Sequence, residues 1–416
     1  MEGRPISGGA ADERRGADRR VAHRGRTGPW ALLLGAALVL VTACSGADSS
    51  DGGKDGGGAK RPPAPKAVVT ISPKDGADSV DTTGDLRVSA SGGKLTGVTV
   101  EDAKGHPVEG TVADDGRSWR PEGHLASATT YTVRASAKNA EGARTTGKST
   151  FKTLRPKNTF VGIFTPEDGS EVGVGMPFSL HFTRGITHPE DVARSIRITT
   201  EPSVPVKGHW FGNDRLDFRP EHYWKPGTKV TAALDLDGVE GRPGVYGTQA
   251  KSVTFTIGRA QVSTVDAEKH MMTVERDGKV VRKVPITAGG TGHTTYNGQM
   301  VISEKYRVTR MNGETVGFGG EYDIKDVPHA MRLSTSGTFI HGNYWSGGAF
   351  GNYNASHGCV GLRDVKGAWD KKQPAAWFYD HSLIGDVVIV KNSPDKQIQP
   401  DNGLNGWNMS WADWTK

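Results

Sequence analysis

Phe339-Ile340-His341-Gly342-Asn343-Tyr344-Trp345, a Gly/Asn-rich loop and then Ser356-His357-Gly358-Cys359-Val360 form the stretch on which the reading of this 416-residue chain turns. The chain has two cysteines, and Cys44 belongs to an export segment. Cys359 is therefore a lone thiol in an exported chain with no internal disulfide open to it, and His357 stands two residues before it. A cysteine near its free pKa is mostly protonated at neutral pH. It becomes a competent nucleophile when a histidine takes the proton or a positive field lowers the pKa. His341 and His357 are the candidates for that proton transfer. Gly358 lets backbone approach a substrate closely, and the successive amides around Gly358 and Cys359 can point at a developing oxyanion. If the segment is extended, residues 357 and 359 face the same way, with His357 orienting the site and His341 arriving from another strand as base.

Two blander or different readings stand beside this one. Cys359 can be a small buried hydrophobe with both histidines hydrogen-bonded in loops. Alternatively His341, His357 and Cys359 make a three-ligand zinc site with an open position. The motif holds no carboxylate to act as base beside such an ion, and the chain shows no nucleotide loop and no metal spacing of a usual kind, so no metal and no other cofactor is expected.

Working outward, the alternations Met272/Val274, Val284/Ile286 and Val387/Ile389 imply more sheet, and Pro374-Ala375-Ala376-Trp377-Phe378-Tyr379-Asp380 reads as a short helix with proline in its first turn. The candidate residues thus lie at a strand end and across a loop, in a domain over residues 259–391. Residues 392–416 form a tail with Trp407, Trp411 and Trp414. Three tryptophans are costly to leave in water, so the tail is predicted to fold back and pack on the protein; the alternative is that it grips glycan.

Upstream, Pro73-Lys74-Asp75-Gly76 recurs as Pro166-Glu167-Asp168-Gly169, and Trp119-Arg120-Pro121-Glu122 as Phe218-Arg219-Pro220-Glu221. Phe151 of Ser149-Thr150-Phe151-Lys152 has its counterpart in Phe255 of Val253-Thr254-Phe255-Thr256. A period near one hundred residues, with alternation such as Tyr131/Val133/Ala135 and Phe178/Leu180/Phe182, predicts two tandem β-sandwiches over residues 67–155 and 156–258. Neither holds a cysteine or a cluster of titratable groups that looks like chemistry, and each reads as a stiff spacer. The chain is expected to be mainly β.

At the other end, arginines at 14, 15, 19, 20, 24 and 26 precede an apolar run from Trp30 to Ala43, too short to span a bilayer comfortably. This is a secretory signal over residues 1–43. Val41-Thr42-Ala43-Cys44 resembles the bacterial lipobox, which implies lipidation of Cys44 and attachment to the outer face of the cell membrane. Several acyl chains at about 0.8 kcal/mol per buried methylene hold a protein there. From Ser45 to Lys66 the chain is mostly Gly, Ser, Asp, Lys and Pro, a flexible tether. Half of the formal net charge of +6 falls in the short leader, where seven arginines stand against four acidic residues, and no nucleic-acid footprint is visible.

His341, fourteen intervening residues and Ser356-His357-Gly358-Cys359 resemble the signature of the L,D-transpeptidases, whose YkuD-type domain works on bacterial cell walls. Arg219-Pro220-Glu221-His222-Tyr223-Trp224-Lys225-Pro226-Gly227-Thr228, Trp377-Phe378-Tyr379-Asp380-His381 and Gly385-Asp386 resemble the actinobacterial lipoprotein branch, which carries two immunoglobulin-like domains. The resemblance implies that Cys359 attacks the third residue of a donor tetrapeptide stem, expels D-alanine, and passes the acyl group to the side-chain amine of an acceptor stem as a 3→3 cross-link. It implies that His341 is the general base, oriented by the Gly342 carbonyl, and that Tyr322, Met311, Ser336, Gly337 and Ser356 contact substrate. The glycine-rich stretch over residues 309–320 is expected to open and close over the site as a flap, the alternative being an ordinary surface loop. The enzyme is expected to be a monomer partnered by peptidoglycan stems and the membrane.

Gly361 departs from the pattern, since the family usually has asparagine or arginine two residues after the nucleophile. A side chain that bonds substrate or braces the loop is then missing, which should weaken positioning. Two further functions stay open: a non-catalytic cell-wall-binding lipoprotein, and an L,D-carboxypeptidase in which water takes the thioester. A cysteine peptidase is disfavoured because the common cell-wall peptidases place Cys before His.

Overall fold

A computed structural model describes residues 65–316 and 319–416. The export signal, Cys44 and nearly all of the tether lie outside the described residues. The protein is mainly β, as its alternating segments predict. Among the described residues no helix is long and apolar enough to cross a membrane.

The sequence repeat has a structural cause. In the first sandwich Asp75 Oδ1 accepts the Thr150 amide at 2.7 Å, and the Gly76 amide donates to the Thr150 carbonyl at 2.7 Å. In the second, Asp168 Oδ1 accepts the Thr254 amide and Gly169 donates to the Thr254 carbonyl, both at 2.7 Å. Gly76 and Gly169 sit at φ +79° and +76°, where a side chain is strained, so the repeated turn demands glycine. Each turn pins the strand, Arg144–Lys152 or Ala250–Ile257, that carries the repeated phenylalanine, and Phe151 and Phe255 lie in the two cores. Trp119 and Phe218 are buried likewise.

The third region is built on a nine-stranded sheet running Gly298–Val301, Val387–Lys391, Gln261–Asp266, Met271–Arg276, Lys279–Thr287, Val360–Arg363, Phe339–Asn343, Asp323–Arg332, Glu304–Asn312. Met272, Val274, Val284 and Ile286 point into its core as their spacing predicts, and helix Pro374–His381 packs there through Ala375 and Phe378 with proline at its start. Val387–Lys391 is a strand as the Val387/Ile389 alternation predicts, and it sends Val388 and Val390 into this core. Val387 is buried on the opposite face, toward Gly175 of the second sandwich, because that sandwich covers this part of the sheet. The contact is backbone to backbone: Gly173 donates to Ile384 O at 2.7 Å and Gly175 to Gly385 O at 2.9 Å. A Cβ on Gly173 would stand 2.2 Å from the Asp386 amide nitrogen, so the approach depends on that glycine. Arg259 grips Asp386 with two bonds of 2.8 Å beside the same seam.

The tail folds back, and it joins two regions. Asn408 exchanges both bonds with Gln299, and Asn405 accepts from the Val301 amide at 2.9 Å while donating to Leu333 O at 2.9 Å. These side chains cover the edge strand Gly298–Val301, whose unpaired backbone would otherwise be open to another chain. Trp407 donates to Gly175 O at 2.7 Å and Trp414 to Lys207 O at 3.0 Å, so both rings are buried against the second sandwich. Arg219 of that sandwich lies 4.7 Å from the Trp407 ring and 4.3 Å from Trp414. Trp407 and Trp414 are thus core residues rather than an exposed grip for glycan.

Candidate active site

Strands Phe339–Asn343 and Val360–Arg363 run parallel with His341 opposite Gly361, and Cys359 stands immediately before the second of them. This pairing brings His341 and Cys359 to one pocket of about 260 Å³, lined also by Met311, Tyr322, Trp345, Ser356 and His357. The intervening loop is fastened to the end of strand Lys279–Thr287. Thr287 Oγ donates to Tyr353 O and accepts from the Ala355 amide, each at 3.0 Å, and Asn354 Oδ1 accepts from the Ala288 amide at 2.9 Å.

His341 Nδ1 lies 2.8 Å from the Gly342 carbonyl. A carbonyl can only accept, so Nδ1 carries the proton and Nε2 keeps its lone pair. Burial lowers the imidazole's pKa, against the opposing pull of the Gly342 bond and the Asp364 charge. Trp345 stacks on the ring at 5.8 Å between centroids. Cys359 is buried, and its thiol points to the Gly337 carbonyl at 3.6 Å. Burial pushes its pKa up to about 11, while a bond from the Phe339 amide and the Arg332 charge act in the opposite sense. The resting pair is therefore neutral thiol beside neutral imidazole.

The expectation of an extended 357–359 segment is corrected. The run bends at Gly358, whose φ is +102°, and Ser356 Oγ donates back to Cys359 O at 2.5 Å. The Ser356 hydroxyl is thereby engaged in bracing the turn. His357 faces the flap, with its ring 5.2 Å from that of Tyr322. Ser336 and Gly337 line a second pocket of about 260 Å³ with His293, His357 and Gly358, on the tail side of the motif. Asn402 of the tail holds this turn by accepting from the Ser336 amide at 3.0 Å and donating to its hydroxyl at 2.8 Å.

Several neighbours of the site carry no local signal in the sequence. Asp364 sits under Gly342 and bonds His329 Nδ1 at 2.7 Å, both residues being buried. A Cβ at residue 342 would stand 2.1 Å from Asp364 Oδ2, so glycine there is required by the carboxyl group beneath it and is more than tolerated. Gly361 has a parallel explanation. A Cβ there would meet Thr287 Cγ2 at 2.9 Å and Asn343 Nδ2 at 3.2 Å. Asn343 takes the space and braces the loop itself, accepting from the amides of Trp345 and Ser346 at 3.0 and 2.9 Å and donating to Ser346 Oγ at 2.7 Å. The brace thought missing at Gly361 is present on the neighbouring strand. Arg363 is exposed and rests on Phe350. Gly361→Asn is therefore expected to lower stability by about 1–3 kcal/mol through overpacking, with no gain in thiol acylation. Urea unfolding and an acylation rate check this, and a faster variant of unchanged stability would contradict it.

Residues 260–390 match the L,D-transpeptidase catalytic domain, and residues 77–240, spanning parts of both sandwiches, match a bacterial Ig domain. The chain is 32% identical over 402 residues to L,D-transpeptidase 2 of Mycobacterium tuberculosis, covering 92% of this chain and 93% of that protein. It belongs to the L,D-transpeptidase family. A second relative, L,D-transpeptidase 5 of the same species, is 30% identical and covers 85% of this chain and 77% of its own length. A solved structure of an LD transpeptidase in complex with imipenem is 28% identical over 55% of this chain and 97% of that one, with a TM-score of 0.46. Family membership accounts for the succession of Ig-like and transpeptidase regions along the fold.

Proposed function

We propose that this transpeptidase forms 3→3 cross-links in peptidoglycan through a thioester on Cys359, outside the cytoplasm and anchored by lipid at Cys44. The observation that carries the mechanism is the Nδ1 bond of His341, which leaves Nε2 as a lone pair in the pocket that Cys359 shares. Because thiol and imidazole both rest neutral, the proton moves from Sγ to Nε2 as sulfur attacks the carbonyl of the third stem residue. The amides at Gly358 and Cys359 receive the oxyanion. The C–N bond to the terminal D-alanine then breaks, its nitrogen taking the proton from His341. The acceptor stem's side-chain amine attacks the thioester, gives its proton to Nε2, and Cys359 leaves as the thiol. His357 and Tyr322 cover the bound stem together with Met311, and Ser336 and Gly337 line its path.

Intact-protein mass spectrometry with a carbapenem, which acylates an activated thiol, tests the nucleophile. One added ligand mass is expected on the parent and none on Cys359→Ala. An unmodified parent would move the assignment to a binding lipoprotein. Incubation with donor and acceptor muropeptides separates cross-linking from hydrolysis by the mass of the product.

The raised thiol pKa has a second consequence. An acid whose pKa is raised is ionised only above that value, so at pH 7 the free enzyme holds a thiolate fraction of roughly 10⁻⁴. In a Cys44→Ser background, iodoacetamide alkylation of Cys359 is expected to rise about tenfold per pH unit from 7 to 10. A plateau below pH 9 would show instead a thiolate stabilised in the resting enzyme.

A further inference from the structure

Three loops meet at the mouth of the pocket. His293 comes from the turn after strand Lys279–Thr287, Glu321 from the flap beside Tyr322, and His357 from the loop that carries Cys359. His293 Nε2 lies 3.2 Å and His357 Nε2 3.5 Å from the same oxygen, Glu321 Oε2. The two rings are 4.7 Å apart, and one donor atom from each of the three residues falls within 4.8 Å of the others. A tetrahedral zinc ion bound by nitrogen and oxygen at about 2.0–2.1 Å separates its ligands by about 3.3 Å, and the two observed spacings fall on either side of that value. Two imidazoles and one carboxylate with a fourth position left for water are a donor set that suits zinc and its borderline neighbours.

We propose that His293, Glu321 and His357 bind a divalent transition-metal ion of the zinc type, which latches the flap onto the loop of Cys359 and slows acylation of the thiol. His357 lines both the pocket of Cys359 and the pocket of Ser336 and Gly337, so an ion held on it stands where the two meet. Glu321 is adjacent to Tyr322, and fixing its carboxylate fixes the aromatic ring that covers the catalytic pocket. This set differs from a His341, His357 and Cys359 trio: it leaves base and nucleophile unligated and draws its carboxylate from the flap. The ligands lie 28 and 36 residues apart along the chain, which is why no metal motif is visible in the sequence.

The test begins with Cys359→Ala, so that the thiol cannot hold the ion. Zn²⁺ is titrated calorimetrically into this protein and into the same background carrying His293→Ala or Glu321→Gln. One ion per chain at micromolar affinity, weakened at least tenfold by either further substitution, is the expected result. Co²⁺ in place of Zn²⁺ should give the visible bands of a four-coordinate ion in Cys359→Ala alone. In the parent enzyme, micromolar Zn²⁺ should slow carbapenem acylation relative to the ion-free rate, and in His293→Ala the rates with and without the ion should coincide. Binding that disappears with Cys359→Ala, or that survives both His293→Ala and Glu321→Gln, overturns the proposal. So does the absence of binding to folded Cys359→Ala, folding being judged by circular dichroism.

Discussion

Gly342→Ala is expected to slow acylation of Cys359 by about a hundredfold and to cost about 1–3 kcal/mol of stability. The added methyl group falls 2.1 Å from Asp364 Oδ2 and 2.8 Å from Asp364 Cβ and Cγ, inside the carboxyl group that lies beneath residue 342. Neither partner has room to withdraw, since Asp364 is buried and bonded to the equally buried His329. The strand must therefore shift at residue 342, which carries the carbonyl that selects the tautomer of His341. A displacement of about 1 Å in a proton acceptor is enough for a loss of this size. Asp364→Ala alone leaves His329 without its partner at a cost of about 1–3 kcal/mol. In the double variant the overlap with Oδ2 and Cγ is gone and only the 2.8 Å approach of the two Cβ atoms remains, so the losses should be less than additive, with a coupling of about 0.5–3 kcal/mol. Unfolding curves and carbapenem acylation rates on the four proteins of the cycle read both quantities. Strict additivity would remove Asp364 from the account of why residue 342 is glycine.

Trp414→Ala should destabilise the protein by about 3–5 kcal/mol, the range for removing a fully buried large aromatic. The ring is 1% exposed, stacks on His209 at 5.0 Å between centroids, and receives the Arg219 guanidinium at 4.3 Å. Its loss leaves Arg219, whose burial already lowers its pKa to about 10, without one face of its aromatic surroundings. Because the tail reaches the site through Asn402 and the turn at Ser336, loosening it should also slow acylation, by less than Gly342→Ala does. The midpoint of urea unfolding measures the first effect. A loss below about 1 kcal/mol would mean that the tail rests on the sandwich without contributing to its core.

The sequence by itself carried what depends on local order. Alternation at Met272/Val274 and Val284/Ile286 marks strands because successive side chains leave a strand on opposite faces. Pro374 marks a helix start because its missing amide costs nothing there. The recurring Asp-Gly turns reflect one local solution for pinning a strand end, used twice. His341 and the Ser-His-Gly-Cys run pointed to a thiol site because that chemistry needs those groups and few others.

Tertiary structure decided the rest, since it depends on which surfaces meet. The Val387/Ile389 alternation marks a strand, but alternation cannot reveal that the second sandwich covers the face on which Val387 is buried. Burial of Trp407 and Trp414 was legible, but only the fold shows that they close over Arg219 and join two regions while Trp411 stays partly exposed. Glycine at 361 reads as a missing side chain until Asn343, brought in on the paired strand, is seen in the space, and only the fold shows that Asp364 fills the space beside Gly342. His293 and Glu321 have no neighbours in sequence to suggest a ligand set, and three loops had to converge to give them one. Residue spacing fixes the direction of a side chain within its own element, whereas its partner is chosen by packing between elements far apart in the chain.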